Sequence, residues 1–316
     1  MDRFTIGIIA SILLGLGLPC SGGVAVGANA ITHAAIILLF FLYGVKLSRR
    51  AVWEGVTHWR LQTLVAFFTF AFFPLCVWGM RALMEPLVGA GLYAGLLYVA
   101  CLPSTVQSSI AFTSIAGGNV PAAVCSASVS SLLGVFLTPL LVGLMFARDS
   151  SGGASVGLGA ILTISYQILL PFALGQLAQR WLKPWVEAHR PLISWNDQLT
   201  IWLVVYTSFS SATVQGYWQQ LSLGALAGLI GACLALLAVI QVCIWLTCKA
   251  LRFNHADSVT ILFCGSKKSL AVGAPMMLAI FGALDNNLLL PLMVFHQVQL
   301  MVCARLAARW KKRAEA

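Results

Sequence analysis

Acidic residues are scarce in this chain. Nine Asp and Glu stand among 316 residues, and none lies at the centre of an apolar stretch. A membrane hydrolase needs a nucleophile with a base, or carboxylates grouped around a metal, and neither constellation is present. Cysteine is present but never paired. Its nine copies stand singly at 20, 76, 101, 125, 233, 243, 248, 264 and 303, without Cys-x-x-Cys or a Cys/His grouping at metal-ligand spacing. They read as small apolar residues rather than disulfide or metal partners. The glycine pairs Gly22-Gly23 and Gly152-Gly153 lack the P-loop pattern, so ATP is not the energy source within this chain. No enzyme activity and no resident cofactor are expected. The net charge of +10 is spread over short clusters rather than one patch, which argues against a nucleic-acid partner.

Apolar sequence fills the space. The chain is 60% hydrophobic and 9% charged, with a mean hydropathy of +0.92. That composition belongs to a polytopic α-helical membrane protein with the bilayer as its main partner. Ten apolar spans can be marked, at roughly 4–20, 30–48, 62–80, 87–112, 120–146, 156–179, 194–212, 223–248, 256–283 and 287–308. Pro19-Cys20-Ser21-Gly22 faintly resembles a cleavage or lipidation region. A first spanning helix is expected instead, because the topology requires it.

The basic residues orient the spans. With the N-terminus inside, one side holds Arg3; Lys46, Arg49, Arg50 and Arg60; Arg180, Lys183 and Arg190; Lys249 and Arg252; and Arg305, Arg309, Lys311, Lys312 and Arg313. The other side holds Arg81 and Arg148. This asymmetry places both termini in the cytoplasm and makes the span count even. Trp53, Trp59, Trp181, Trp185 and Trp195 lie in or beside the basic loops and suit an interfacial belt.

Two spans are internally broken. The fourth contains Leu102-Pro103-Ser104-Thr105-Val106-Gln107-Ser108-Ser109. Proline removes a backbone donor and disrupts the preceding turn, so a break near Pro103 follows. The ninth contains Phe263-Cys264-Gly265-Ser266-Lys267-Lys268-Ser269. Each lysine would cost roughly 2.5–3.5 kcal/mol at the centre of a spanning helix. Asp257 and Asp285 are 10 and 17 residues away. A helical path to either end is ~15 Å or more, farther than a lysine snorkels. The ammonium groups should therefore face a polar cavity or a partner inside the protein; the competing reading is a re-entrant loop in water. Five spans separate the breaks, so they hold matching places in two five-span halves, 1–147 and 148–316, of inverted topology. Interrupted helices at matching places point to the binding site of a secondary transporter.

Other features carry less. Gly224, Gly228 and Ala232 form a small-residue row that marks close helix packing. Arg81 and Glu85 read as a solvated loop pair. His296, Gln297, Gln299 and Gln241 are polar at membrane depth; each could line a substrate path or make an interhelical hydrogen bond. Asp197 reads as interfacial.

The order of Cys101–Ser109, then Gly118-Asn119-Val120, then Ser128-Val129-Ser130-Ser131-Leu132, with Leu170-Pro171-Phe172-Ala173-Leu174-Gly175-Gln176 and the ninth-span break, resembles the bile acid:sodium symporter family (solute carrier family 10). The likeness is greatest to the member 7-like branch and its bacterial relatives. The resemblance implies ten helices in two inverted repeats, a panel domain (1–50 and 155–212) and a core domain (60–147 and 223–308). Helices 4 and 9 would be broken and cross inside the core, and substrate would bind between core and panel. It implies a bacterial inner (plasma) membrane protein that moves a small organic anion by alternating access. Thr105, Gln107, Ser108, Ser109, Ser126, Ser128, Gly265, Ser266, Lys267, Lys268, Ser269, His296 and Gln299 are the expected substrate- and ion-binding residues.

The departures from the family are electrostatic. Sodium-coupled members carry an acidic residue and then Gln-Asn in span nine, where this chain has Phe263 and Lys267-Lys268. A Ser-Asn pair of span four is Ser108-Ser109 here, a Ser and a Thr of span five are Ala123 and Ala127, and a glutamine of span three aligns with Thr69. Two unit charges 4 Å apart repel by about 4 kcal/mol at an effective dielectric of about 20, so paired lysines are hostile to Na⁺. At least one sodium site is expected to be lost, with an ammonium in its space. A residual Na⁺ site at Ser108, Ser109 and Ser266, a lysine that exchanges protons, and a paired lysine that stays charged and attracts an anionic substrate with help from the half-helix N-termini are the schemes left open. The alternative class is a non-transporting membrane regulator of ion homeostasis that keeps the fold.

Overall fold

The computed structural model describes residues 3–46, 58–147, 158–281 and 285–315. Every regular element among them is a helix. In chain order they are α1 (Arg3–Gly17), α2 (Gly22–Lys46), α3 (Trp59–Gly79), α4 (Arg81–Val88), α5 (Ala90–Ala100), α6 (Gln107–Ile115), α7 (Val120–Ala147), α8 (Leu158–Ala188), α9 (Arg190–Val214), α10 (Tyr217–Gln220), α11 (Leu223–Ala250), α12 (His255–Gly265), α13 (Leu270–Phe281) and α14 (Asn286–Glu315). Among the described residues, α2, α3, α7, α11 and α14 are each long and apolar enough to cross a membrane. α5 has only 11 residues. At about 1.5 Å per residue it reaches roughly half of a ~30 Å hydrocarbon core. The expected division at 147/148, the charges Arg49, Arg50 and Arg148, Trp53 and the Gly152-Gly153 pair involve positions outside the described residues.

Large aliphatics stand exposed along the helices, Val24, Leu177 and Leu223 among them. In water that surface would be costly; against acyl chains it is not. Trp59, Trp181, Trp185 and Trp195 are exposed as well.

The chain divides into two compact units. The first comprises Met1–Leu47, Val156–Leu223 and Ala274–Leu289. Its core is the contact of α2 with α8, and two glycines permit it. A Cβ on Gly175 would run into the Phe41 carbonyl oxygen, and one on Gly44 into that of Phe172. With the backbones this close, Gln176 Nε2 reaches the Gly44 carbonyl at 2.6 Å and Gln179 Nε2 the Val45 carbonyl at 3.2 Å. The Phe172–Gln176 motif is thus a packing device. Lys46 pairs with Asp197 at 2.6 Å, with the carboxylate side chain 24% exposed.

The second unit comprises Ser48–Ser155, Gly224–Gly273 and Leu290–Ala316. Here the Gly118-Asn119-Val120 motif acts as a clasp. Asn119 caps α7 by accepting from Ala122 N–H at 3.1 Å, and its Nδ2 donates to Asp257 Oδ1 at 2.9 Å at the start of α12. Asn254 caps α12 by accepting from Asp257 N–H at 2.7 Å. Gly228 bears out the packing reading of its row, since a Cβ there would stand 2.7 Å from the Leu87 carbonyl oxygen. Arg81 and Glu85 need correction. They form an i,i+4 pair at 2.6 Å on the helix α4, not in a loop, because Gly89 at φ 85° places the turn after them.

Candidate cation site at two helix breaks

The site is built within the second unit where two helices stop. α5 ends at Ala100 and α6 begins at Gln107; α12 ends at Gly265 and α13 begins at Leu270. Pro103 and Gly265 explain the local breaks. What the intervening backbone then bonds to decides whether such breaks survive in a bilayer, where each unsatisfied group costs several kcal/mol.

The first break is satisfied almost group by group. Thr138 Oγ1 donates to the Cys101 carbonyl at 2.9 Å, and Ser130 Oγ accepts from Ser104 N–H at 3.0 Å. Gly134 of α7 leaves room for the Pro103 ring, which a Cβ would approach to 2.6 Å. Ser269 N–H, from the second break, donates to the Pro103 carbonyl at 2.9 Å. Ser109 Oγ returns the contact by donating to the Phe263 carbonyl at 3.1 Å. The two breaks therefore hold each other.

Lys268 completes the arrangement. Its Nζ donates to the carbonyls of Thr69 (2.6 Å), Ala100 (2.6 Å) and Leu102 (2.8 Å), and lies 4.3 Å from the Phe73 ring centroid. An ammonium has three protons, and all three are used. The Ala100 carbonyl is at the C-terminal, negative end of α5, which favours a cation. The Thr69 carbonyl belongs to a π-helical turn, Phe68–Phe72, inside α3. Pro74 follows that turn; lacking an N–H and crowding the preceding carbonyls, it favours a widened turn. Gln299 of α14 grips the same residue's backbone, with Oε1 accepting from Lys268 N–H at 2.8 Å and Nε2 donating to its carbonyl at 2.7 Å. His296 Nδ1 lies 3.0 Å from Gln299 Nε2.

Lys267 is held more lightly. Its Nζ donates to Ser108 Oγ at 3.2 Å and sits 4.5 Å and 5.8 Å from the Phe112 and Phe263 ring centroids. Ser108 Oγ donates to Thr105 Oγ1 at 2.8 Å, which is 2.9 Å from Ser109 Oγ. Since Ser109 uses its single proton on the Phe263 carbonyl, Thr105 is the donor to Ser109. A directed chain thus runs Lys267, Ser108, Thr105, Ser109, Phe263. Both lysine side chains are fully buried. They meet partners inside the protein rather than an open cavity.

The remaining expected site residues lie elsewhere in this geometry. Gln107 is exposed at the start of α6. Ser128 Oγ donates to Val124 O within α7, and Ser266 Oγ, just past the end of α12, donates back to Leu262 O in its last turn. Ser126 is buried and its hydroxyl has no hydrogen-bond partner among the described residues. Gly265 packs near Ile244 and Phe68. Gln241 Nε2 meets Cys303 Sγ at 3.4 Å. The ligands that sequence reading missed are backbone carbonyls, at Thr69, Ala100 and Leu102, which carry no side-chain signal. Phe73 and Phe112 could have been suspected only as aromatics flanking lysines.

Residues 2–312 match the SBF-like CPA transporter family. The chain belongs to that family. Its relatives include an uncharacterized protein of Pseudomonas aeruginosa, 51% identical over 99% of this chain and 94% of the relative. YfeH of Escherichia coli is 47% identical over 100% of this chain and 94% of its own length. Sodium/bile acid cotransporter 7-B of Xenopus laevis is 29% identical over 95% of this chain and 89% of the relative. The family membership agrees with the bile acid:sodium symporter motifs. Together with its long apolar helices, it makes this an integral membrane protein of a transporter family.

Proposed function

We propose that the protein is a secondary transporter that moves a small organic anion by alternating access, across the inner (plasma) membrane. Ten spans would form two inverted repeats with both termini in the cytoplasm, with a panel at 1–50 and 155–212 and a core at 60–147 and 223–308. The observation that carries this reading is Lys268, at one helix break, whose ammonium is coordinated by two carbonyls of the other break and one of the π turn in α3. In secondary carriers such carbonyls coordinate Na⁺ or protons. A tethered cation there would replace one coupling ion, and the site's positive charge suits an anionic substrate. The cytoplasmic placement of the termini rests on the distribution of Lys and Arg, and the inner-membrane placement on the family resemblance.

The names of the vertebrate relatives point to a bile acid and Na⁺, so cholate is the first probe. In proteoliposomes holding the purified protein, cholate uptake should exceed that of empty vesicles. It should respond to an imposed pH gradient or membrane potential rather than to Na⁺. Thermal unfolding in NaCl should match that in KCl and choline chloride. A Na⁺-specific rise would instead favour sodium symport through hydroxyls such as Ser108, Ser109 and Ser266, and would overturn replacement of the ion by lysine. Binding without any uptake, across a panel of carboxylate and sulfate probes, would favour the regulator.

A further inference from the structure

Two adjacent lysines of one break have unlike surroundings. Lys268 makes three charge-assisted hydrogen bonds to carbonyls of α3, the end of α5 and the residue pair after it, so it ties three chain segments together. Its backbone is gripped on both sides by Gln299. To release its ammonium, three acceptors must be orphaned at once in a dry interior. Lys267 makes one hydrogen bond, to a half-buried serine hydroxyl, and otherwise rests against the faces of Phe112 and Phe263. Two of its three protons have no oxygen acceptor among the described residues. Aromatic faces attract an ammonium without fixing its direction, and an anion outcompetes them. The titratable groups that act on Lys267 are the thiols of Cys303 on α14 and Cys264 on α12, with Lys268 beside it in sequence. Among the described residues, no carboxylate forms an ion pair with it.

We propose that the two lysines have divided roles: Lys268 is a fixed internal cation that locks the crossing of the two breaks, and Lys267 is the exchangeable ammonium that meets the substrate's anionic group. This rests on the transporter reading. Ser108 is the resting partner of Lys267 and releases it when the anion binds. Because Ser108 heads the chain through Thr105 and Ser109 to the Phe263 carbonyl, that release reaches the contact between the two breaks. Lys267 thereby becomes a specificity-determining residue and Lys268 a positioning residue.

Site-resolved reductive methylation of the wild-type protein, with formaldehyde and an amine-borane under native conditions, tests the division. Mass spectrometry of the peptide that contains both lysines reads each one, and exposed Lys249 is the positive control. Methylation at Lys267 should exceed that at Lys268 by about tenfold or more, since two further hydrogen bonds must open at Lys268. Both should react equally once the protein is unfolded. Equal labelling in the native state, faster labelling of Lys268, or protection of both while Lys249 reacts would overturn the proposal. The second readout is thermal unfolding of Lys267→Met and Lys268→Met. Lys268→Met should lose far more stability or fail to fold, and Lys267→Met should stay near wild type; the reverse order would overturn it. The labelling pattern reads the lysines directly. Failed transport would remove the substrate from Lys267 but leave the labelling difference standing, whereas a uniform pattern would sink the divided roles without touching transport.

Discussion

At the residue scale, burial of a charge is tolerable only when its protons have acceptors, and Lys268 meets that condition with backbone oxygens alone. Gln299 is the less obvious partner. It substitutes for a stretch of helix by satisfying both the N–H and the carbonyl of Lys268, in a break where the backbone cannot do so itself. Gln299→Leu is expected to orphan both groups at about 1–3 kcal/mol each and to lower the unfolding temperature in detergent. Gln299→Glu, which keeps one acceptor and loses the donor, should fall between the two. An unchanged melting temperature for Gln299→Leu would mean that water takes over both bonds. The serines at the two breaks separate by the same reasoning. Ser109 reaches across to Phe263, whereas Ser266 turns back onto the last turn of α12, to Leu262, instead of joining the breaks.

At the element scale, the breaks were readable because proline and glycine act on their immediate neighbours. Pro103 and the Gly265–Ser269 stretch mark the interruptions to within a few residues, and no long-range contact is needed to see them. Packing glycines are less legible: Gly175 appears in the sequence as one letter of a motif, and only the crossing of α2 and α8 shows why it is there. Gly175→Leu is expected to push the two helices apart, at about 1–3 kcal/mol or more, measured as lost thermal stability and increased protease sensitivity of the first unit. Gly17→Leu, at a position where a Cβ meets nothing within 4 Å, should be nearly silent. The π turn of α3 was not readable, since Pro74 predicts a disturbance of the helix but not the freed carbonyl that Lys268 finds.

At the scale of the whole molecule, the distribution of positive charge makes the clearest statement. Fifteen of the nineteen Lys and Arg fall on one side of the expected topology and two on the other, with the remaining two being Lys267 and Lys268. Fusion of a fluorescent protein to the C-terminus should therefore give bright cells, and fusion of alkaline phosphatase at the same point should be inactive. The opposite pair of results would overturn the cytoplasmic C-terminus and, with the N-terminus inside, would require an odd number of crossings and remove the inverted-repeat reading.

Composition and hydropathy sufficed for an all-helical membrane chain, and local backbone chemistry for two interrupted helices with misplaced lysines at one of them. Those properties depend on near neighbours in sequence or on sums over it. Which residues meet the lysines did not depend on near neighbours. Thr69 and Ala100 are 199 and 168 residues from Lys268, and they act through carbonyl groups that every residue possesses. Gln107 and Ser128 are close in sequence to true partners, yet helical rotation carries one into the open and leaves the other bonded to its own helix. The tertiary structure alone decided that one lysine is fully bonded and its neighbour is not, because only the packing of helices brings acceptors to one ammonium and aromatic faces to the other.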